Sequence, residues 1–175
     1  MSATSHRRPT TEILDALETA LRAVQWSGEF AFARIARFSR NELREAFAEL
    51  LISEKSIALI VPDAEQFVCE TRGRTLEVRR TLPVMLVFSD CIIGNEETAI
   101  YGDVNNAGAF GLLEAALPAV TGQLLANPHG VQVEPRTATI FKIAAGDLPG
   151  RGAVMLEIEC TGGYLEATLG PGPNY

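Results

Sequence analysis

The amino-acid sequence predicts an α+β fold: an antiparallel or mixed β-sheet packed by an N-terminal helix and a long second helix, and closed by a β-hairpin. Three observations predict it. One is an apolar stripe at helical spacing near the N-terminus. Another is the segment Tyr101–Pro135, where a polar loop, a long apolar helix, an Asn-Pro-His-Gly turn and a strand follow one another. The third is a pair of period-two runs near the C-terminus, separated by a turn rich in Gly and Pro. Neither an internal repeat nor an interdomain linker appears. Residues 1–175 therefore read as one domain, with 1–9 and 170–175 as flexible termini.

The elements follow in order. Thr10 or Thr11 caps a first helix, and Glu12 suits the positive end of its dipole. Ile13, Leu17, Leu21 and Val24 form its stripe, with Leu14 beside them, and Trp26-Ser27-Gly28 ends it. Phe30–Phe38 reads as a strand, although its alanines and arginines would also tolerate a helix. Ser39 and Glu42 fit a capping box, in which each satisfies a free backbone N–H, and Leu43, Phe47, Leu50 and Leu51 follow at helical spacing. Ser56–Val61 is a short apolar strand closed by Pro62. From Asp63 to Arg74 the pattern weakens, as in a long loop or extended arm.

Leu76, Val78 and Leu82 then alternate with Glu77 and Arg79, a half-exposed strand in which Pro83 suits a bulge or edge. Val84–Phe88 is apolar on both faces and belongs in the middle of the sheet. The second helix is expected from Ala107 to Leu125, capped by Asn105 or Asn106 and kinked by Pro118. Leu113, Leu117, Val120 and Leu124 of this helix are expected to pack on the sheet. Thr137, Thr139, Phe141 and Ile143 alternate on one arm of the closing hairpin, and Val154, Leu156, Ile158 and Cys160 on the other. Gly162-Gly163 and the following tail have no periodicity, so order there is expected only against a partner.

Composition narrows the function classes. At 175 residues and 47% hydrophobic content the chain can bury a sizeable core. It has no apolar run long enough for a membrane helix, and the opening MSATSHRRP lacks the apolar core of a secretory signal. Cys69, Cys91 and Cys160 are odd in number and widely spread, which fits reduced thiols better than a disulfide framework. The net charge of −7 does not provide the cationic footprint a general nucleic-acid binder needs. The arginines that do cluster are interleaved with glutamates, as on a solvated or intersubunit face.

Candidate chemistries are weak. Ser89-Asp90-Cys91 follows the central strand, but a nucleophile there needs a base, and the only histidines are His6 and His129. Asp103, Asn105, Asn106 and Gly108 lack the carboxylates of a calcium loop and read as an Asx turn and helix cap. The glycines of this region do not form a phosphate-binding pattern. Glu157 and Glu159 lie two apart on the outer face of the last strand and read as a solvated pair. No catalytic, cofactor-binding or metal-binding residue is expected, and no cofactor.

The segments LPVMLVFSD (Leu82–Asp90), GLLEAALPAVTGQLL (Gly111–Leu125), GVQVEP (Gly130–Pro135) and GRGAVMLEIECTGGY (Gly152–Tyr164) together resemble the tail terminator, or tail-completion, proteins of tailed bacteriophages. The resemblance covers the C-terminal half well and the first helix loosely, and it rests on element order and hydrophobic texture. It implies a structural virion protein without catalytic residues. Such proteins form a ring, usually a hexamer, on the head-proximal end of the tail tube, stop its polymerisation and offer the surface where the head docks. Implied partners are other copies of the chain, the tail tube protein, sheath, and head-completion or connector proteins; DNA passes through an acidic lumen without specific binding. Mixed charge beside long irregular segments suits ring closure, so Arg72, Arg74, Arg79, Arg80, Asp147, Arg151, Glu157 and Glu159 are the expected subunit or tube contacts. Two other classes stay open: another head–tail connector or baseplate component, and a small enzyme or ligand-binding module using the Ser89–Cys91 region or the Asp103–Gly108 loop.

Overall fold

The computed structural model describes residues 3–5, 10–42, 44–46, 48, 55–72, 75–90, 96–125, 130–145 and 148–168. The fold is α+β. An eight-stranded mixed sheet carries two helices of thirteen residues on one face, α1 (Thr10–Arg22) and α3 (Gly108–Val120), and a short α2 (Glu96–Tyr101) lies between β7 and α3 in the chain. The strands of the sheet are β1 (Ala3–Ser5), β4 (Arg34–Arg37), β5 (Ile57–Pro62), β6 (Gln66–Arg72), β7 (Thr75–Ser89), β8 (Gly122–Leu125), β9 (Val131–Ala145) and β10 (Leu148–Thr168). β2 (Gln25–Trp26) and β3 (Glu29–Phe30) form a separate two-stranded hairpin.

The main path is β4-β5-β7-β10-β9-β8, in which only the β4–β5 pairing is parallel. Its spine is the antiparallel pair β7–β10, whose register runs from Ala153↔Ser89 to Thr168↔Thr75. Both spine strands change their outer partner at one level. β7 leaves β5 at Val84 and meets β6 from Thr81, with Pro83 between, where its missing N–H interrupts nothing. β10 leaves β9 at Gly162 and meets β1 from Leu165, and the β7–β10 register slips between Thr161 and Tyr164. The sheet thus has two parts: a broad body backed by helices, and a narrower arm ordered β6-β7-β10-β1.

Alternation along the strands sorts the core. Ala58 and Ile60 of β5, Leu82, Val84, Leu86 and Phe88 of β7, and Val154, Leu156, Ile158 and Cys160 of β10 face the helices. Against them lie Ile13, Leu17 and Leu21 of α1 and Ala109, Leu112, Leu113, Ala116 and Val120 of α3. Phe32 stacks on Phe88 with ring centroids 5.4 Å apart. On the opposite face Ile57, Leu59, Val87 and Ala153 make a smaller cluster with Ala46. Val84–Phe88 is therefore buried on both sides, as its uniform apolarity predicts.

Several expectations change. The second helix stops at Val120, because the Thr121 hydroxyl and N–H both turn back to the Leu117 carbonyl and Gly122 adopts φ +83°; Leu124 and Leu125 are in β8. Leu117 is only half-buried, while Ala109, Leu112, Ala116 and Val120 are buried. The Phe30–Phe38 strand divides into the end of β3 and β4. The expected loop from Asp63 to Arg74 contains β6, and the expected irregular tail from Gly162 continues as β10 to Thr168. Strand pairing also reaches into the Gly/Pro-rich turn, with Leu148↔Ala145 in register, and β1 lies within the segment expected to be flexible. Half of the capping box is present: Ser39 N–H donates to Glu42 Oε2 at 2.7 Å, but Glu42 N–H donates at 2.9 Å to the Ser39 backbone carbonyl rather than to its hydroxyl. The helical stripe at Leu43, Phe47, Leu50 and Leu51 and the residues from 169 onward lie outside the described residues.

Candidate interaction surfaces

The charged residues of the sheet separate into inward and outward sets. Arg80 falls on the same side of β7 as Val78 and Leu82, so its side chain is only 3% exposed and lies 3.3 Å from Glu65. Thr10 at the start of α1 donates its hydroxyl to the same glutamate. This corrects the expectation that Arg80 is an interface residue: it ties the helix layer to the β5–β6 turn from inside. Burial next to it pushes the Cys160 thiol up to about 12, against the weaker opposing charge of Arg80, so the thiol is an inert core group.

The outward set is exposed and largely paired. Arg79 is exposed and holds Glu77 at 2.7 Å, with the Glu77 contact and then the Glu70 charge stabilising its cation. Glu157 accepts from the Thr137 hydroxyl at 2.5 Å, and Glu159 meets Arg136 at 2.6 Å, so both glutamates lie on the outer face as expected. Arg136 is the residue sequence reasoning missed. It is the extra residue of a bulge between the pairs Glu157↔Thr137 and Ile158↔Pro135, and it reaches both Glu159 and Glu134. Pro135 was the available signal, since a proline inside a strand marks a bulge or an edge.

Glu157, Glu159 and Arg136 rim a groove of about 370 Å³ whose apolar floor includes Met85 and Met155. For Arg72 and Arg151 the structure describes the backbone alone, at the end of β6 and opposite Ile143. Arg74 and Asp147 lie outside the described residues.

β6 is exposed along its described side chains, from Gln66 to Thr71. Phe67 and Val68 are adjacent, so they point to opposite faces, yet each is 56% exposed. The arm is therefore open on both sides at this edge.

A second feature joins the two regions singled out as alternatives. The Ser89 hydroxyl is buried and donates to the Gly152 carbonyl at 3.0 Å, a structural role. Asp90 instead reaches sideways: its Oδ2 accepts the Gly108 N–H at 2.9 Å and serves the first turn of α3 from outside. That replaces the expected Asn105 or Asn106 cap, because residue 107 precedes the helix without a side-chain cap bond. Asp103 makes the expected Asx turn, accepting from Asn105 N–H at 2.8 Å and Asn106 N–H at 2.9 Å. These bonds, the Asn105 amide first, hold its carboxyl below the usual range. Gly102 and Gly108 have φ of 77° and 65°, and a Cβ on either would lie 2.3 Å from backbone of the other strand of the loop.

Between this rigid loop and the β2–β3 hairpin is a cavity of about 370 Å³. Trp26, Glu29 and Phe30 line it from the hairpin, Asp90 from the end of β7, and Asn105 and Asn106 from the loop. The hairpin turn is Ser27-Gly28, both at positive φ (51° and 85°), as a two-residue type I′ turn requires. Cys91 and His129 lie outside the described residues.

No protein-family model matches the chain, and no curated protein matches it in sequence. Among the described residues, no group of three or more His, Cys, Asp or Glu is placed to hold a metal ion, and no helix is long and apolar enough to cross a membrane.

Proposed function

We propose that this chain is an assembly subunit of a tailed-phage virion, a tail terminator that forms a ring on the head-proximal end of the tail tube, ends tube polymerisation and provides the surface where the head joins. The observation that carries the reading is the β6-edged arm, with Phe67 and Val68 exposed on its two faces. An open edge with apolar residues on both sides is a liability in a lone protein and an asset in one completed by neighbours. Exposed Arg79 and the Arg136–Glu159 pair supply mixed charge near that arm, which sets register between subunits. The net charge of −7 suits a lumen through which DNA slides without sticking. The partners in this reading are copies of the chain, the tube protein, and sheath or head-completion proteins. The element order that resembles tail terminators favours this position over a connector or baseplate part.

The test replaces the exposed pair together, Phe67→Ser with Val68→Ser. Both side chains are solvent-facing, so the fold is expected to survive. Mixed with unfinished tails, the folded variant is expected to leave tubes overlong and unable to join heads. Tails that stop at normal length and join heads with this variant would refute the reading.

A further inference from the structure

We propose that the cavity between the β2–β3 hairpin and the Gly102–Gly108 loop binds a guanidinium or ammonium group, the tip of an arginine or lysine side chain presented by another protein. The inference does not rest on the assembly reading above.

Charge is the first ground. Glu29 and Asp90 both line the cavity, and none of its described lining residues is Arg, Lys or His. The Gly108 N–H fixes Asp90 Oδ2 at 2.9 Å, which orients the carboxylate. The second ground is aromatic. Trp26 and Phe30 line the same cavity, and an aromatic face attracts a cation through its quadrupole. Asn105 and Asn106 add side-chain amide oxygens that accept N–H donors.

Size and surroundings choose the occupant. A volume of about 370 Å³ is at the low end of ligand sites, which suits a side chain better than a cofactor. Exposed apolar side chains lie on the elements that form it: Phe30 (71%) on the hairpin and Val104 (93%) on the loop, with Tyr101 (62%) at the loop's start. Tyr101 is held by a parallel stack on Phe110 with centroids 5.7 Å apart, and Val104 sits on the loop that Asp103 and the two glycines make rigid. A free small cation has nothing to place on that rim. A side chain in a polypeptide does, because its alkyl stem and its neighbours are apolar. Such a preformed rim also loses little entropy on binding.

Trp26 is the only tryptophan, so its emission reports on this cavity alone. The full chain is titrated with N-acetyl-arginine amide, with the neutral isostere N-acetyl-citrulline amide, and with the tripeptide acetyl-Leu-Arg-Leu-amide. The arginine amide is expected to give a saturable change with a midpoint on the order of millimolar, and the tripeptide a tighter one. The citrulline compound is expected to give none. In a Glu29→Gln, Asp90→Asn variant binding is expected to weaken about tenfold; asparagine keeps an oxygen for the Gly108 N–H, and a cooperative unfolding transition confirms the fold. Equal response to arginine and citrulline, or undiminished binding in the double variant, overturns the site. A tripeptide no tighter than the amide overturns the protein partner.

Discussion

Asp90 Oδ2 accepts the Gly108 N–H at 2.9 Å, so the first residue beyond β7 holds the first turn of α3 across eighteen positions of sequence. Asp90→Ala removes that acceptor and is expected to cost about 0.5–2 kcal/mol, the range for losing a helix cap. Asp90→Asn is expected to cost less, since its amide oxygen still accepts. Urea unfolding of both variants checks this, and equal losses would mean the hydrogen bond contributes nothing beyond charge.

Leu112 is 2% exposed at the centre of the α3–sheet contact. Leu112→Ala is expected to cost about 2–5 kcal/mol, as a cavity-forming truncation does. Leu117→Ala is expected to cost clearly less, because Leu117 is half-buried. The ranking of the two unfolding midpoints is the check; a larger loss at Leu117 would contradict the helix orientation.

Gly152 of β10 runs directly beneath α2. A Cβ there would lie 2.4 Å from Ile100 Cγ1 and 3.1 Å from the Ala99 carbonyl carbon. Overpacking of this kind costs about 1–3 kcal/mol, so Gly152→Ala is expected to lower stability measurably. Thermal unfolding tests it, and pairing the change with Ile100→Val is expected to recover part of the loss.

Glu18 on α1 supplies the acid sensitivity. Its hydrogen bond to Arg22 at 2.5 Å, helped by Arg37 at 2.6 Å and opposed by burial, holds its carboxyl below the ordinary 4.5. A depressed carboxyl contributes stability that is complete above the unfolded-state value and is lost as pH falls through the folded-state value. The contribution, about 0.5–1 kcal/mol for a partly exposed pair, is thus present at neutral pH and fades below about pH 4.5. Glu18→Gln is expected to flatten the stability–pH curve in that acidic range. An unchanged slope would remove Glu18 from the account.

The sequence made the body of the fold readable where one face is buried. Ile13, Leu17 and Leu21 announce α1, and the alternation of Val154, Leu156, Ile158 and Cys160 announces β10, because burial selects apolar residues at each element's own period. β6 was not readable, since both its faces are open and selection for alternation is absent. β8 was hidden because Leu124 and Leu125 extend the helical stripe past the Thr121–Gly122 break. Gly162-Gly163 looked like an end and is instead the irregularity where β10 changes partners. Arg80 is buried rather than at a contact surface, and its spacing from Val78 and Leu82 places it on the inward side. The cavity lay beyond single-sequence reading for a different reason: its walls come from four separated segments, around residues 26–31, at 56, at 90 and around 105–112.

The central claim concerns place and symmetry, and imaging tests it most directly. Electron microscopy of tails assembled with the tagged chain is expected to show a single closed ring of it at the head-proximal end of each tube, and tubes of uncontrolled length when it is omitted. Tubes of normal length without it, or label spread along the tube or absent from its end, would contradict the account.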